Sequence, residues 1–251
     1  MGRKYFTVSF DDGTEQDIRV IALMEKYGIR GTFNLSSGLF GQRNEDVSRF
    51  VRVTLEDGSK RQIKVKYDHN ILPLGQAKEL YSRSFIEIAG HGAHHMHQTR
   101  LTGAELKDEI AGDAERLAGL FGREIRGHIF PFGKYNEECL NVMEEAGLIY
   151  GRLATSGVPD ADFAFKAEHG IIHPTCRMTD AFAIPLLERF INTPCSNEDM
   201  VFYFWGHSYE LDYGTTSACD AFLDALFKTA AYADGIEFVT NGELIDALKS
   251  R

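Results

Sequence analysis

Short apolar and β-branched runs recur along the chain at residues 5–10, 29–35, 85–89, 124–130, 148–153, 170–173, 201–205 and 236–239. Most are separated by helical periodicity, which predicts helices over about 14–27, from Thr102 onward, and over 136–146, 179–190, 216–231 and 241–248. The helix at Thr102 has Glu105 three positions on, as a capping box requires, and places Leu106, Ile110, Leu117 and Phe121 on one face. Strands that alternate with helices form βαβ units and a parallel sheet. Seven or eight such repeats predict a distorted (β/α) barrel with seven or eight parallel strands, closed or nearly so, rather than an open sheet. With no internal repeat and no low-complexity tract, residues 1–251 read as a single domain.

One segment breaks the rhythm. From Phe50 to Tyr67 the pattern alternates around Glu56-Asp57-Gly58-Ser59, which predicts a β-hairpin with an Asp-Gly turn inside an insertion at about 43–75. Seven basic residues stand against four acidic ones between Arg43 and Lys66, so the insertion is locally positive. A solvated surface hairpin, a lid over a site and an oligomer contact all fit this pattern. Edge pairing between two copies would give a homo-oligomer, although charged strand faces oppose it.

Composition narrows the class. With 43% apolar and 25% charged residues the chain is an ordinary globular protein, and its net charge of −10 excludes nucleic acid as the main partner. No stretch approaches 18 consecutive apolar residues, so no membrane partner is expected. The first residues run into a strand without a separate signal region, which reads as a cytoplasmic protein or the trimmed form of a longer one. Cys139, Cys176, Cys195 and Cys219 form no C-x-x-C pair and read as buried, reduced thiols.

The candidate chemistry lies at the ends of the apolar runs. The first ends in Ser9-Phe10-Asp11-Asp12-Gly13, and adjacent carboxylates repel unless they share a cation or a proton, although Asp-Asp-Gly is also an ordinary turn. The third ends in Gly-His-Gly-Ala-His-His-Met-His, residues 90–97, with four of the nine histidines. On a helical turn the spacing of His91 and His95 puts both imidazoles on one face, as a metal pair requires, with His94 and His97 left to surface or supporting roles. In a parallel barrel all loops after strands meet at one rim. That rim should also receive Pro131-Phe132-Gly133 and Gly206-His207-Ser208. One Asp with two His is a metal set that leaves positions open for water and substrate, in a hydrolase or in an iron-dependent oxygenase.

Taken in order, Ser9-Phe10-Asp11-Asp12-Gly13, His91-x-x-x-His95, Phe130-Pro131-Phe132-Gly133 and Trp205-Gly206-His207 resemble the motifs of the polysaccharide deacetylase family, also called carbohydrate esterase family 4. The resemblance covers about residues 5–245 apart from the basic hairpin. It implies a distorted (β/α) barrel and a metal-dependent hydrolase that removes acetyl groups from N-acetylated sugars. Carried onto this sequence, it implies Asp12, His91 and His95 as ligands of a divalent metal, zinc foremost and cobalt, nickel or manganese as alternatives. It further implies Asp11 as general base, the backbone N–H of Phe132 as oxyanion donor where the family usually has Tyr, and His207 as the acid that protonates the leaving amine. For His207 the alternative is a histidine satisfied at the end of a buried strand.

Two departures stand out. The arginine that the family commonly places two residues before the proline of its third motif is Ile129 here, and Arg152 is the candidate to replace it, with an ordinary surface arginine as the alternative. The Asp-Trp motif that normally orients the catalytic histidine is absent, since the only tryptophan is Trp205. His173, Asp160 or Asp162 are the candidates for that support, with a buried structural histidine the alternative for His173. The expected substrate is therefore an N-acylated sugar or glycan, or a small cyclic imide or ureide handled by a cytoplasmic amidohydrolase on the same fold. A barrel that binds without catalysis is the reading from a different class.

Overall fold

In the computed structural model, which describes residues 2–195 and 197–250, the first apolar run forms β1 (Lys4–Asp11), buried along nearly its whole length. Helix α1 (Asp17–Tyr27) leads to β2 (Gly31–Leu35), and the antiparallel hairpin of β3 (Val47–Thr54) and β4 (Lys60–Tyr67) follows. Next come α2 (Leu74–Tyr81), β5 (Ile86–Gly90), α3 (Gly103–Lys107), α4 (Asp113–Phe121) and α5 (Glu137–Glu145). Four two-residue strands then alternate with loops: β6 (Gly151–Arg152), β7 (Ala167–Glu168), β8 (Ile171–Ile172) and β9 (Cys176–Arg177). The chain closes with α6 (Ala183–Asn192), β10 (Met200–His207), α7 (Asp220–Ala231), β11 (Ile236–Phe238) and α8 (Asn241–Lys249).

The strands β5-β2-β1-β10-β9 lie side by side in parallel. Parallel bridges continue the wall past β5, from Gly90 to His128 and from Gly127 to Tyr150, and β6 then pairs with β8. Eight parallel segments thus follow one another around a distorted (β/α) barrel, as expected from the repeats. The run at 124–130 contributes bridges but no full strand, and a Cβ at Gly127 would lie only 2.1 Å from the Tyr150 ring. β10 pairs with β1 over all of Lys4–Asp11, so β11 and β2 divide the other edge, at Lys4–Phe6 and Val8–Asp11.

Period two sorts β1 between two environments. Phe6, Val8 and Phe10 pack outward against residues of the surrounding helices such as Val20, Met24 and Leu226. Tyr5 faces the interior with Tyr150, Tyr203 and Trp205, and α8 supplies Leu244 and Ile245 to the same cluster. Farther up the same inward face stand Thr7, Ser9 and Asp11, hydrogen-bonded to Asn241 and Asn34. The interior therefore changes from apolar to polar toward the C-terminal ends of the strands, where a parallel barrel carries its chemistry.

Three local expectations are corrected. Thr102 forms no capping box: its side chain caps nothing, and the Gly103 N–H instead donates to Glu138 at 3.1 Å. The helix that follows is interrupted by a π-type turn at Asp108–Gly112, which separates α3 from α4. The helix expected over 179–190 starts only at Ala183, because Thr179, Asp180 and Ala181 pair with Thr54 of the hairpin. The four cysteines are free, Cys139 and Cys176 buried and Cys195 and Cys219 half-buried. Among the described residues no helix is long and apolar enough to cross a membrane.

Candidate active site

Asp11 and Asp12 leave β1 in different directions because the chain turns between them. Asp11 is still in register with His207 of β10, whereas Asp12 has a φ of 78° and Gly13 one of 71°. A Cβ at Gly13 would approach Leu35 Cδ2 to 2.8 Å, so the turn needs glycine on both counts. Asp11 points into the barrel, where Asn34 Nδ2 donates to it at 2.7 Å and Arg152 Nη2 contacts both of its oxygens, at 2.6 and 2.5 Å. Burial pushes the Asp11 carboxyl up, but Arg152, His91 and His207 more than reverse this and leave it below its ordinary value.

Asp12 Oδ1 faces His91 Nε2 at 3.4 Å and His95 Nε2 at 3.5 Å. His91 donates its Nδ1–H to the Ile129 carbonyl at 2.7 Å, which fixes the tautomer and leaves Nε2 as the free ligand atom. Burial alone would raise Asp12, yet hydrogen bonds from His69 and His91 hold it well below the carboxylate range. His95 is pushed down to about 4 by burial and by the nearby His91, so it stays a neutral donor. Ligands of a tetrahedral ion at about 2.1 Å stand about 3.4 Å apart. One carboxylate oxygen and two imidazole nitrogens at that spacing, within 4.8 Å of one another, fit a divalent metal.

The histidine segment is a loop and not the helical turn that its spacing suggested. His95 has a φ of 54° and donates its N–H to Gly92. The π-type turn turns the buried Glu109 toward this loop, where it accepts from the N–H groups of His94 and Met96 and from His94 Nδ1 at 2.7 Å. His94 is thus held by Glu109 and lies outside the group formed by Asp12, His91 and His95. His97 stacks on Phe132 at 3.8 Å with an interplanar angle of 19°, and His95 meets the same ring edge-on. Phe132 itself adopts a φ of 61° in the turn after Pro131 and sits half exposed at the mouth of the pocket.

His207 places Nε2 3.8 Å from Asp11 and Nδ1 3.4 Å from Glu210. Glu210 also accepts from Arg177 at 2.6 Å, and although burial raises it, Arg177 and His207 draw it down to about 2. The support expected from His173, Asp160 or Asp162 is therefore located elsewhere. His173 is exposed, tied by its N–H to Lys166 beside β7, and Asp162 pairs with Lys166 on the surface, while Asp160 is also exposed. Glu210 was legible three residues after His207, at capping-box spacing.

A second residue missed in the sequence is His69, on the return from the hairpin, with Nε2 2.9 Å from Asp12 Oδ2. Arg152, by contrast, reaches Asp11 as its place at the end of an apolar run suggested. Asp11, Asp12, His91, His95, Phe132 and His207 all line one pocket of about 420 Å³, closed on one side by Val47, Arg49 and Tyr67 of the hairpin. A larger cleft of about 1180 Å³ beside α5 and α8 contains none of these groups.

The family model described as polysaccharide deacetylase matches residues 1–151. A Bacillus subtilis (strain 168) protein named "Putative polysaccharide deacetylase YxkH" is 22% identical over 169 residues, 67% of this chain and 51% of the relative, so the chain spans about half the length of that curated relative. Among solved structures, the peptidoglycan deacetylase PdaC of Bacillus subtilis superposes with a TM-score of 0.56 at 14% identity, covering 99% of this chain and 93% of that one. A family 4 acetyl xylan esterase from Clostridium thermocellum, solved with a cobalt ion, also gives 0.56 at 14% identity, over 98% and 92%. At such identities the superpositions establish the shared fold.

Proposed function

Because the chain belongs to the polysaccharide deacetylase family, we propose that it is a metal-dependent hydrolase that removes N-acetyl or similar acyl groups from an amino sugar or glycan. The observation that carries this reading is the pairing of Asp11, held ionised by Arg152, with the ligand group of Asp12, His91 and His95 on one pocket wall. A divalent ion held by these three residues, zinc foremost for this donor set, with cobalt, nickel or manganese as alternatives, would supply a polarised acyl carbonyl and a water of lowered pKa.

The protein's own groups have separable tasks. Asp11 accepts the proton of the attacking water, and Arg152 keeps that carboxylate ionised beforehand. The Phe132 N–H donates to the acyl oxygen as negative charge develops there. His207 hands a proton from Nε2 to the departing nitrogen, since Glu210 engages Nδ1 and leaves Nε2 directed at the pocket. Phe132 and His97 screen the mouth from bulk water by stacking.

The hairpin side of the pocket favours a short substrate, and this supports a second reading, an amidohydrolase of a small cyclic imide or ureide. Metal analysis with a hydrolysis screen over acetylated oligosaccharides and cyclic imides, on wild type and Asp11→Asn, separates the two. Acetate release abolished in Asp11→Asn supports deacetylation. Ring opening without acetate release moves the assignment to the second reading, and bound metal with neither product overturns both.

A further inference from the structure

Val47, Arg49, Val51 and Val53 alternate along β3 and pair with Tyr67, Val65, Ile63 and Arg61 of β4. Val47, Val51, Ile63, Val65 and Tyr67 form the apolar face that packs on Tyr209 and Tyr213. Arg49 interrupts that face with a charge at a position that is itself exposed and so open to an approaching ligand. Its Nη2 donates to Tyr209 Oη at 3.2 Å and Tyr213 Oη at 3.1 Å, and its guanidinium lies over the rings of Tyr67 and Tyr209 at 5.3 and 5.8 Å. Among the described residues no carboxylate pairs with it, and its Nε and Nη1 make no hydrogen bond.

The other two arginines of this region are neutralised, Arg152 by Asp11 and Arg177 by Glu210. Among the described residues of the pocket lining, Arg49 is the arginine without a carboxylate partner. The Tyr209 ring that it holds stands 4.9 Å from the His207 ring and 4.8 Å from the His69 ring. An anion at Arg49 would therefore be separated from His207 by the single ring of Tyr209. Both phenol oxygens accept from Arg49, which holds the guanidinium in place beside the pocket. The segment from Arg43 to Lys66 carries seven basic residues against four acidic ones on a chain whose net charge is −10, a local excess that would draw an anion toward the hairpin.

We propose that Arg49 binds a carboxylate or phosphate carried by the acylated substrate, so that this enzyme takes an anionic N-acylated sugar in preference to a neutral one. The inference rests on the deacetylase reading for the identity of the acyl group, and on the hairpin geometry alone for the charge. Its test uses three matched N-acetylated sugars, one neutral, one carboxylated and one phosphorylated. Turnover is measured with the metal-loaded wild type, Arg49→Gln and Arg49→Lys. Binding is followed independently in the Asp11→Asn background through the single tryptophan, Trp205, which lines the same pocket.

The expected result is a preference of about ten- to a hundredfold for an anionic sugar, which falls to near one in Arg49→Gln and survives in part in Arg49→Lys. Thermal unfolding of each variant shows whether the hairpin still docks. Tighter binding of the anionic sugar that depends on Arg49, with no acetate released, upholds the anion site and removes the deacetylase reading. Acetate release with the same charge preference in wild type and a folded Arg49→Gln overturns the anion site and leaves the deacetylase reading standing.

Discussion

Arg152 and Asp11, 141 residues apart in sequence, meet inside the barrel with one guanidinium nitrogen 2.6 and 2.5 Å from the two carboxylate oxygens. Both side chains are almost completely buried, so water does not screen the pair. Arg152 thus supplies a carboxylate contact that Ile129 cannot make, while the Ile129 carbonyl accepts from His91 Nδ1.

Arg152→Ala is expected to lower kcat by about a hundred- to a thousandfold while metal content is retained. Because Arg152 helps to hold the Asp11 carboxyl down, its removal moves the acid limb of the kcat/KM profile to higher pH. A buried unpaired carboxylate also destabilises the fold by about 3–5 kcal/mol. A variant with reduced rate and an unmoved acid limb would mean that Arg152 acts on stability alone.

His69→Ala should weaken zinc binding by about ten- to a hundredfold without abolishing it, because His69 fixes the Asp12 oxygen opposite the one that faces His91 and His95. His91→Ala should lose the metal outright. Competition against a chelator measures both. At a hundredfold excess over its Kd, zinc should stabilise the wild type by about 2.7 kcal/mol and leave His91→Ala unmoved in a thermal melt.

Glu210→Gln tests the support of His207. It should reduce kcat by about ten- to a hundredfold with metal content unchanged, because Nδ1 loses its carboxylate partner and Arg177 its counter-ion. His173→Ala, on the exposed side of β8, should stay within about twofold of wild type. A larger loss in His173→Ala than in Glu210→Gln would reverse the assignment.

Asp17 supplies the clearest pH dependence of stability. It is buried at the start of α1 and accepts from Tyr81 Oη at 2.5 Å, and burial, reinforced by the charges of Asp12 and Asp11, lifts its carboxyl to about 7. An unfolded chain releases this proton near 3.8, so between about pH 4 and 7 the folded state binds the proton that the unfolded state has lost. Stability contributed by this group therefore falls as pH rises through that window and is level above it. At about 1.4 kcal/mol per unit the change amounts to a few kcal/mol. Asp17→Asn should flatten the slope in urea titrations of chelated protein at pH 5 and 7.5.

Much of this arrangement was legible because it rests on short-range patterns. Period two along β1 places Asp11 inward, and the strand-end motifs bring Asp12, His91, Phe132 and His207 to one rim. The contributions of His69 and Arg49 were hidden because they depend on how the inserted hairpin docks, through Tyr67 on Tyr209 and through Thr54 on Asp180. No local periodicity encodes that contact between segments far apart in the chain. The four-residue spacing of His91 and His95 pointed to the pair that converges on Asp12 but through a geometry the chain does not adopt, since a loop with a left-handed residue can bring the two rings together as a helix would. Glu109 was hidden for a related reason: a π-type turn alters which helical positions share a face.

Asp12, His95 and Phe132 account for three of the five non-glycine residues with positive φ among the described residues, and all three line the same pocket. Glycine adopts such a backbone freely, whereas other residues hold it at a cost of about 1 kcal/mol or more, highest for a bulky side chain such as Phe132. A laboratory selection for heat tolerance alone would therefore favour glycine at these three positions, and the barrel would survive higher temperatures as its catalytic pocket was erased.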